Sequence, residues 1–253
     1  MKAIETQPIF LEGTKQTFLL LHSFTGNANE MKGLANHLHE LGHTCYAPNL
    51  KGHGQTPGDL MQTSMVEAHA SAEDAFQLLL SKGFEKIIVI GQSLGGLMAM
   101  RIAASPKCAA IAVLSSPIFE RPLEDLEGRV IAYTKRYFKQ QQASTEEIDS
   151  YLKVHFPRPR EKMQALLSFI TESQQVATTI HKPIALFKGE LDYETFQKSV
   201  DFIFEQAKSE LKFPKTYVQS GHLLTIDKDR KQVFEDLSEF AHLVNSAKTL
   251  SQV

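Results

Sequence analysis

Apolar residues along the chain form two recurring patterns. Short continuous apolar runs are typical of strands buried on both faces of a parallel sheet. Between most of these runs, apolar positions recur every three or four residues, as on one face of a helix. This alternation predicts an α/β fold with a mostly parallel, doubly wound sheet. The predicted strands are Thr17–His22, Thr44–Pro48, Ile87–Ile90, Ala109–Leu114, Pro183–Gly189 and a last one near Lys215–Gln219.

Local start signals place several of the helices. Asn27 with Glu30 matches a capping box, which predicts a helix that continues to about Leu41. A second capping box is expected at Ser64–Glu67, and the last helix is expected to begin near Asp227. The helices therefore fall in the intervals between the predicted strands, as a doubly wound sheet requires.

The alternation is interrupted at about residues 118–181, where only helical patterns occur. One helix is predicted over Pro122–Gln142, a second begins at a capping box over Ser144–Glu147, and a third follows Pro159. We interpret residues 1–253 as a single domain in which this helical segment forms a small cap over the carboxyl edge of the sheet.

Composition narrows the class of protein. The chain has 253 residues, of which 42% are hydrophobic and 22% charged, and its net charge is −2. These values are ordinary for a globular domain and give no basic surface for nucleic acid. The beginning of the chain has no apolar signal core, and no apolar run is long enough to span a bilayer. We therefore expect a cytoplasmic protein without stable membrane insertion; the sequence leaves its oligomeric state open.

The strand at Ile87–Ile90 ends in Gly91-Gln92-Ser93-Leu94-Gly95, and a helical pattern follows at once. A strand, a very tight turn and a helix in this order place Ser93 at the apex of the turn. Glycine on either side avoids a clash of Cβ atoms with the turned backbone. Ser93 is therefore a candidate nucleophile, and a glycine-rich structural turn is the alternative.

A serine nucleophile requires a base to take its proton and an acid to orient that base. On this kind of sheet the three follow one another as serine, acid and histidine. His222 lies in a loop after the last predicted strand, at the same sheet edge as Ser93, so we predict it as the base. The other histidines after Ser93 lie in less suitable places: His155, His181 and His242.

Asp192 follows the end of a predicted strand and is the predicted acid, with Glu190 as its nearest rival. Acyl transfer also needs N–H donors for the oxyanion of the tetrahedral intermediate. We assign these donors to the backbone of Leu94 and of Phe24, which lies in the loop after the first predicted core strand.

These residues resemble the α/β-hydrolase superfamily, and within it small bacterial carboxylesterases and monoacylglycerol lipases. The resemblance rests on four ordered blocks: His22–Gly26, Lys51–Gly54, Gly91–Gly96, and Asp192 with Ser220–His222. It implies hydrolysis of short- to medium-chain acyl esters through an acyl-enzyme, with an ester and water as partners and no metal or cofactor. Ser23 departs from the family's usual glycine in the oxyanion loop.

Substrate contacts are expected from Ser23 and from the entrance of the cap, namely Phe119, Leu126 and Val130. A thioesterase, a serine peptidase or a binding protein without turnover on the same scaffold is the alternative. His39 and His43 are four residues apart on a predicted helix, but no third ligand accompanies them, so no metal site is predicted.

Overall fold

The computed structural model describes residues 6–155 and 160–250. Its strands are β1 (Ile9–Leu11), β2 (Thr17–Leu21), β3 (Thr44–Ala47), β4 (Ile87–Gln92), β5 (Cys108–Leu114), β6 (Ile184–Gly189) and β7 (Lys212–Tyr217). They form one sheet in the order β1-β3-β2-β4-β5-β6-β7. β1 pairs antiparallel with β3, and every other neighbouring pair is parallel. The prediction of a mostly parallel α/β sheet is confirmed.

The described residues also form α-helices between and beside the strands. The helices are α1 (Lys32–Glu40), α2 (Pro57–Gln62), α3 (Met65–Ser81), α4 (Leu94–Ile102), α5 (Leu123–Gln140), α6 (Thr145–His155), α7 (Arg160–Ala177), α8 (Glu194–Gln206) and α9 (Arg230–Leu250). The three helices expected between β5 and β6 are present. None of the helices described is long and apolar enough to cross a membrane.

Side chains of the central strands alternate between two apolar layers, because successive residues of a strand point to opposite faces of the sheet. Leu19 and Val89 belong to one layer, together with residues of α3, α4 and α7. Phe18 and Ile88 belong to the other layer, together with residues of α1 and α9. The continuous apolar runs of the sequence therefore serve both faces of the sheet.

Helix α7 packs on α4, the helix that follows Ser93. Arg101 of α4 donates hydrogen bonds to Ser173 Oγ at 2.8 Å and to the Phe169 carbonyl at 3.1 Å. Its guanidinium also lies 3.6 Å from the centre of the Phe169 ring. Helix α5 is held by a different contact, in which the Tyr133 hydroxyl donates to the Gln55 carbonyl at 2.8 Å.

Among the strands, the last one departs most from its predicted position. The last strand occupies Lys212–Tyr217 rather than Lys215–Gln219. It contains Pro214 and mixes polar with apolar residues, since it pairs only with β6 at the edge of the sheet. A proline is tolerated on such a strand, because its missing N–H would face away from the ladder.

The predicted capping box at Asn27 is wrong. Asn27 caps a short 3-10 helix, Ala28–Met31, by accepting a hydrogen bond from the Asn29 amide at 3.0 Å. Helix α1 begins only after it, and the Glu30 carboxylate binds Ser23 instead of the Asn27 backbone. By contrast, the predicted capping box at Ser64–Glu67 is present at the start of α3.

Candidate active site

Ser93 occupies a strained turn between β4 and α4. Its φ of 54° and ψ of −114° lie in a region that residues with a side chain rarely adopt. The turn is possible because glycines flank it. A Cβ on Gly91 would lie 2.1 Å from the Gly95 carbonyl oxygen, and one on Gly95 would lie 2.2 Å from that of Leu21. The tight turn therefore brings Ser93 to the carboxyl edge of the sheet.

Ser93, His222 and Asp192 form a continuous hydrogen-bonded chain. Ser93 Oγ lies 2.9 Å from His222 Nε2, and His222 Nδ1 lies 2.8 Å from Asp192 Oδ2. The other oxygen of Asp192 accepts a hydrogen bond from the Tyr193 amide at 2.8 Å. With Nδ1–H donating to the carboxylate, Nε2 is left to accept the proton of the Ser93 hydroxyl.

The other candidates lie away from this chain. Glu190 is exposed, and its backbone continues the pairing with β7 by donating to the Tyr217 carbonyl at 2.9 Å. The remaining histidines that follow Ser93 are all exposed: His155, His181 and His242. Within the described residues, His222 is the histidine that the fold brings to Ser93.

The loop that holds His222 is fixed by side chains that the sequence patterns did not single out for this purpose. The fully buried Gln92, one residue before Ser93, accepts a hydrogen bond from the Thr225 amide at 3.0 Å. The Asp227 carboxylate accepts one from the Gly221 amide at 2.8 Å. The first contact ties the His222 loop to β4, and the second holds the loop together across His222.

The environment of His222 favours its neutral form. Burial lowers the pKa of His222 below its ordinary value, and the positive charges of Arg129 and Arg121 act in the same direction. The hydrogen bond and charge of Asp192 raise this pKa but do not outweigh burial. A neutral imidazole is the form that can accept a proton from Ser93.

Phe24 and Leu94 approach Ser93 from two elements. All three residues line one small apolar cavity. Leu94 is the first residue of α4, so its N–H has no acceptor within the helix. Among the described residues, the Phe24 N–H likewise has no hydrogen-bond acceptor. Both amides are therefore available to an oxygen bound beside Ser93.

Ser23 is bound by Glu30, a contact that sequence reasoning missed. The Ser23 amide and hydroxyl donate to the two oxygens of the Glu30 carboxylate, each at 2.9 Å. Burial raises the pKa of Glu30, and these hydrogen bonds oppose the shift. The hydroxyl that replaces the family's usual glycine is thus part of the anchor for the loop that contains Phe24.

Two cavities adjoin the hydrogen-bonded chain. The larger one, called here the outer cavity, has a volume of about 520 Å³ and is lined by His222, the loop of Ser23–Asn27, Glu30 and the α5 residues Arg129, Tyr133 and Arg136. The smaller one, called here the inner cavity, has a volume of about 20 Å³. It is lined by Ser93, by Arg121 and Arg129, and by apolar residues that include Leu94, Leu97, Leu126, Leu166 and Ile170.

The expected substrate contacts divide between these cavities and the core. Ser23 lines the outer cavity, and Leu126 lines the inner one. Phe119 instead packs edge-to-face on Phe202 with ring centroids 5.5 Å apart. Val130 is fully buried in the core. Neither Phe119, which precedes α5, nor Val130, which lies on it, lines either cavity, because both side chains point toward core residues.

No group of three histidine, cysteine, aspartate or glutamate residues that could hold a metal ion occurs in the part of the chain that the structure describes. His39 and His43 interact through the Nδ1 of the first and the backbone carbonyl of the second, 3.3 Å apart. This contact holds the end of α1 against the following turn.

Comparisons with known proteins agree with the fold. A model of the alpha/beta hydrolase fold matches residues 16–203. A carboxylesterase from Bacillus subtilis (strain 168) is 30% identical over 240 residues, which cover 95% of this chain and 98% of that protein. A thermostable monoacylglycerol lipase from Bacillus sp. (strain H-257) is 24% identical, over 92% of this chain and 93% of that protein.

A solved structure reported for the metagenome-derived lipolytic enzymes LipS and LipT superposes with a TM-score of 0.73. It is 17% identical, and the match covers 93% of this chain and 97% of that one. At this identity the likeness concerns the fold. The family model and the extended match to the carboxylesterase both span most of the chain, and the chain therefore belongs to the α/β-hydrolase family.

Proposed function

We propose that this protein is a serine carboxylic-ester hydrolase that acts through an acyl-enzyme on short- to medium-chain acyl esters. The observation that carries the proposal is the hydrogen-bonded chain from Ser93 Oγ through both nitrogens of His222 to Asp192, with distances of 2.9 and 2.8 Å. Similarity over 95% of the chain to a carboxylesterase supports the same reaction class.

In the acylation step, Ser93 Oγ attacks the ester carbonyl carbon while His222 Nε2 takes the hydroxyl proton. The carbonyl oxygen becomes an oxyanion, to which the amides of Phe24 and Leu94 donate hydrogen bonds. The bond to the alcohol oxygen then breaks, and His222 returns the proton to that oxygen. Asp192 orients the imidazole and stabilises its protonated form throughout.

In the deacylation step, water takes the place of the alcohol. His222 accepts a proton from this water, whose oxygen attacks the acyl carbon bonded to Ser93 Oγ. The second tetrahedral intermediate collapses, the carbon–Oγ bond breaks, and the proton returns from His222 to Ser93. The products are a carboxylic acid and the free enzyme.

The two cavities suit the two halves of an ester. The alcohol must lie beside His222, which protonates it, and His222 lines the outer cavity. The acyl group must lie beside Ser93 and the Leu94 amide, which line the apolar inner cavity. At about 20 Å³ the inner cavity has room for little more than a water-sized group, so longer acyl chains require its side chains to repack.

Labelling with a fluorophosphonate, which reacts with an activated serine, tests the nucleophile. We expect one equivalent of label on the wild-type protein and none on the Ser93→Ala variant. Ser116→Ala is the matched control, because Ser116 is a buried serine next to α4 whose hydroxyl donates to the Leu114 carbonyl. A wild-type protein that is neither labelled nor able to hydrolyse p-nitrophenyl butyrate would refute the proposal.

The proposal that the acyl group occupies the inner cavity is tested with p-nitrophenyl esters of increasing acyl-chain length. We expect kcat/KM to be highest for short to medium chains, and the Leu126→Ala variant to move the preference to longer ones by enlarging the inner cavity. Leu38→Ala removes an equally buried leucine from the layer that contains α1 and controls for lost stability. An unchanged chain-length profile in Leu126→Ala would place the acyl group elsewhere.

A further inference from the structure

Arg129 of α5 lies where the outer and inner cavities meet. It lines both of them, together with Phe24. Its guanidinium stands 5.6 Å from the centre of the Phe196 ring, and that ring lies 4.1 Å from the centre of the His222 ring. A positively charged side chain therefore faces the space in which an ester would be held.

This guanidinium has no acidic partner within ion-pair distance among the described residues. The neighbouring Arg121, by contrast, pairs with Asp125 at 3.0 Å. Asp192 acts on Arg129 only from a greater distance, since its own carboxylate is occupied by His222 and by the Tyr193 amide. Arg129 is half-buried, and burial lowers its pKa. An anion bound there would supply hydrogen bonds in place of those to water that burial has removed.

The other charged side chains of the outer cavity leave an excess of positive charge. Arg136 lies two helical turns beyond Arg129 on α5 and lines the same cavity. Glu30 is the carboxylate that lines it, and both of its oxygens already accept hydrogen bonds from Ser23. Two guanidinium groups therefore face one carboxylate that is engaged in holding a loop.

We propose that the alcohol half of the substrate carries a carboxylate or a phosphate, and that Arg129 binds this anion while the ester carbonyl lies at Ser93. The inference rests on the proposed function, because the outer cavity belongs to the alcohol only if His222 protonates the leaving group. The planar guanidinium matches a carboxylate or a phosphate with two parallel hydrogen bonds. Arg129 thus contributes to substrate choice and takes no part in proton transfer.

Two pairs of esters, each made of one anionic and one neutral compound with the same acyl group, test this inference. For the carboxylate, 3-butyryloxybenzoate is compared with 3-butyryloxybenzamide. For the phosphate, 1-butyrylglycerol 3-phosphate is compared with 1-butyrylglycerol. We expect the wild-type protein to favour one anionic ester by about 10- to 100-fold in kcat/KM, the range of a hydrogen bond to a charged group. The pair that shows the preference identifies the anion.

Three variants assign this preference to Arg129. In Arg129→Gln the ratio of kcat/KM between the charged and the neutral ester should fall to about one, mainly through KM, and Arg129→Lys should restore part of it. Lys135→Gln is the matched control, since Lys135 is an exposed cation on the same helix that lines neither cavity. It should leave the ratio unchanged.

Several outcomes would overturn the inference while the proposed function stands. The first is hydrolysis of both neutral esters without preference for either charged one. The second is a preference for the charged ester that persists in Arg129→Gln. The third is an equal loss of kcat/KM on charged and neutral esters in Arg129→Gln, which would indicate that Arg129 only supports Phe196. If no ester is hydrolysed, the proposed function fails instead. Titration calorimetry of the same compounds then decides the binding claim, which is refuted if neither charged ester binds more tightly than its neutral counterpart.

Discussion

Replacing Glu30 with alanine tests whether the contact between Glu30 and Ser23 positions the Phe24 amide, the proposed oxyanion donor. The wild-type carboxylate accepts hydrogen bonds from the Ser23 amide and hydroxyl, each at 2.9 Å. In Glu30→Ala the hydroxyl can still donate to the Phe24 carbonyl, which is 3.4 Å away. The amide of Ser23, a residue only 3% exposed, is left without an acceptor.

Glu30→Ala should affect both the stability of the protein and its kcat, and the contacts of Ser23 set the size of each effect. One buried N–H without a partner costs about 1–3 kcal/mol of the free energy of unfolding. In a chain of this size each kcal/mol corresponds to about 2–4 °C in Tm. The effect on rate is bounded by the complete loss of one oxyanion donor, about 10²–10³-fold in kcat. We therefore expect Glu30→Ala to lower Tm by several degrees and kcat by at least 10-fold within that bound.

The assay is hydrolysis of p-nitrophenyl butyrate at a temperature where circular dichroism reports a folded variant. Glu30→Gln keeps an oxygen that can accept from the Ser23 amide and should retain most of the rate. Glu40→Ala removes an exposed carboxylate from α1 and controls for the change in net charge. If folded Glu30→Ala has a kcat within twofold of the wild type, Glu30 does not position Phe24.

The further predictions concern Asp192, His222 and the turn at Ser93, with an exposed glycine of α5 for comparison. Asp192→Asn should lower kcat by about 10⁴-fold, whereas Glu190→Gln should have little effect; the reverse result would show that the acid is misassigned. For a neutral ester, kcat/KM should fall as pH decreases through the pKa of His222 in the free enzyme. Burial lowers that pKa, so the midpoint should lie below the ordinary value of 6.5, and a midpoint above it would contradict the burial argument. Gly95→Ala should cost at least about 1–3 kcal/mol in urea unfolding, because its Cβ would lie 2.2 Å from a strand carbonyl. Gly128→Ala, on an exposed helical position with open space around it, should gain about 0.5–1 kcal/mol.

The parts of the fold that could be predicted depend on local patterns and on simple topology. Runs of buried apolar residues mark β2, β4 and β6 because both faces of these strands are covered. In a parallel sheet the carboxyl ends of such strands share one edge. The loops that hold Phe24, Ser93 and Asp192 could therefore be assigned to a common edge without knowledge of the packing.

The parts that could not be predicted depend on contacts between distant residues. Asn27 and Glu30 have the spacing of a capping box, but the Ser23 amide and hydroxyl compete for the same carboxylate and hold it. Strand β7 was misplaced because its edge position permits Pro214 and polar residues, which weaken the apolar signal. In the same way β1 escapes detection, since it has three residues and pairs with β3 alone.

The balance of charges around His222 likewise could not be predicted from the sequence, because it depends on burial as much as on residue types. Burial and the charge of Arg129 lower the pKa of His222, while Asp192 raises it. An anion bound to Arg129 would offset the positive charge that acts on the imidazole, so the pKa of His222 would rise when a charged substrate is in place. A stronger base would then be present at the step in which the proton of Ser93 is removed. If both proposals hold, this arrangement would link recognition of the alcohol half of the ester to proton removal from Ser93 through one guanidinium group.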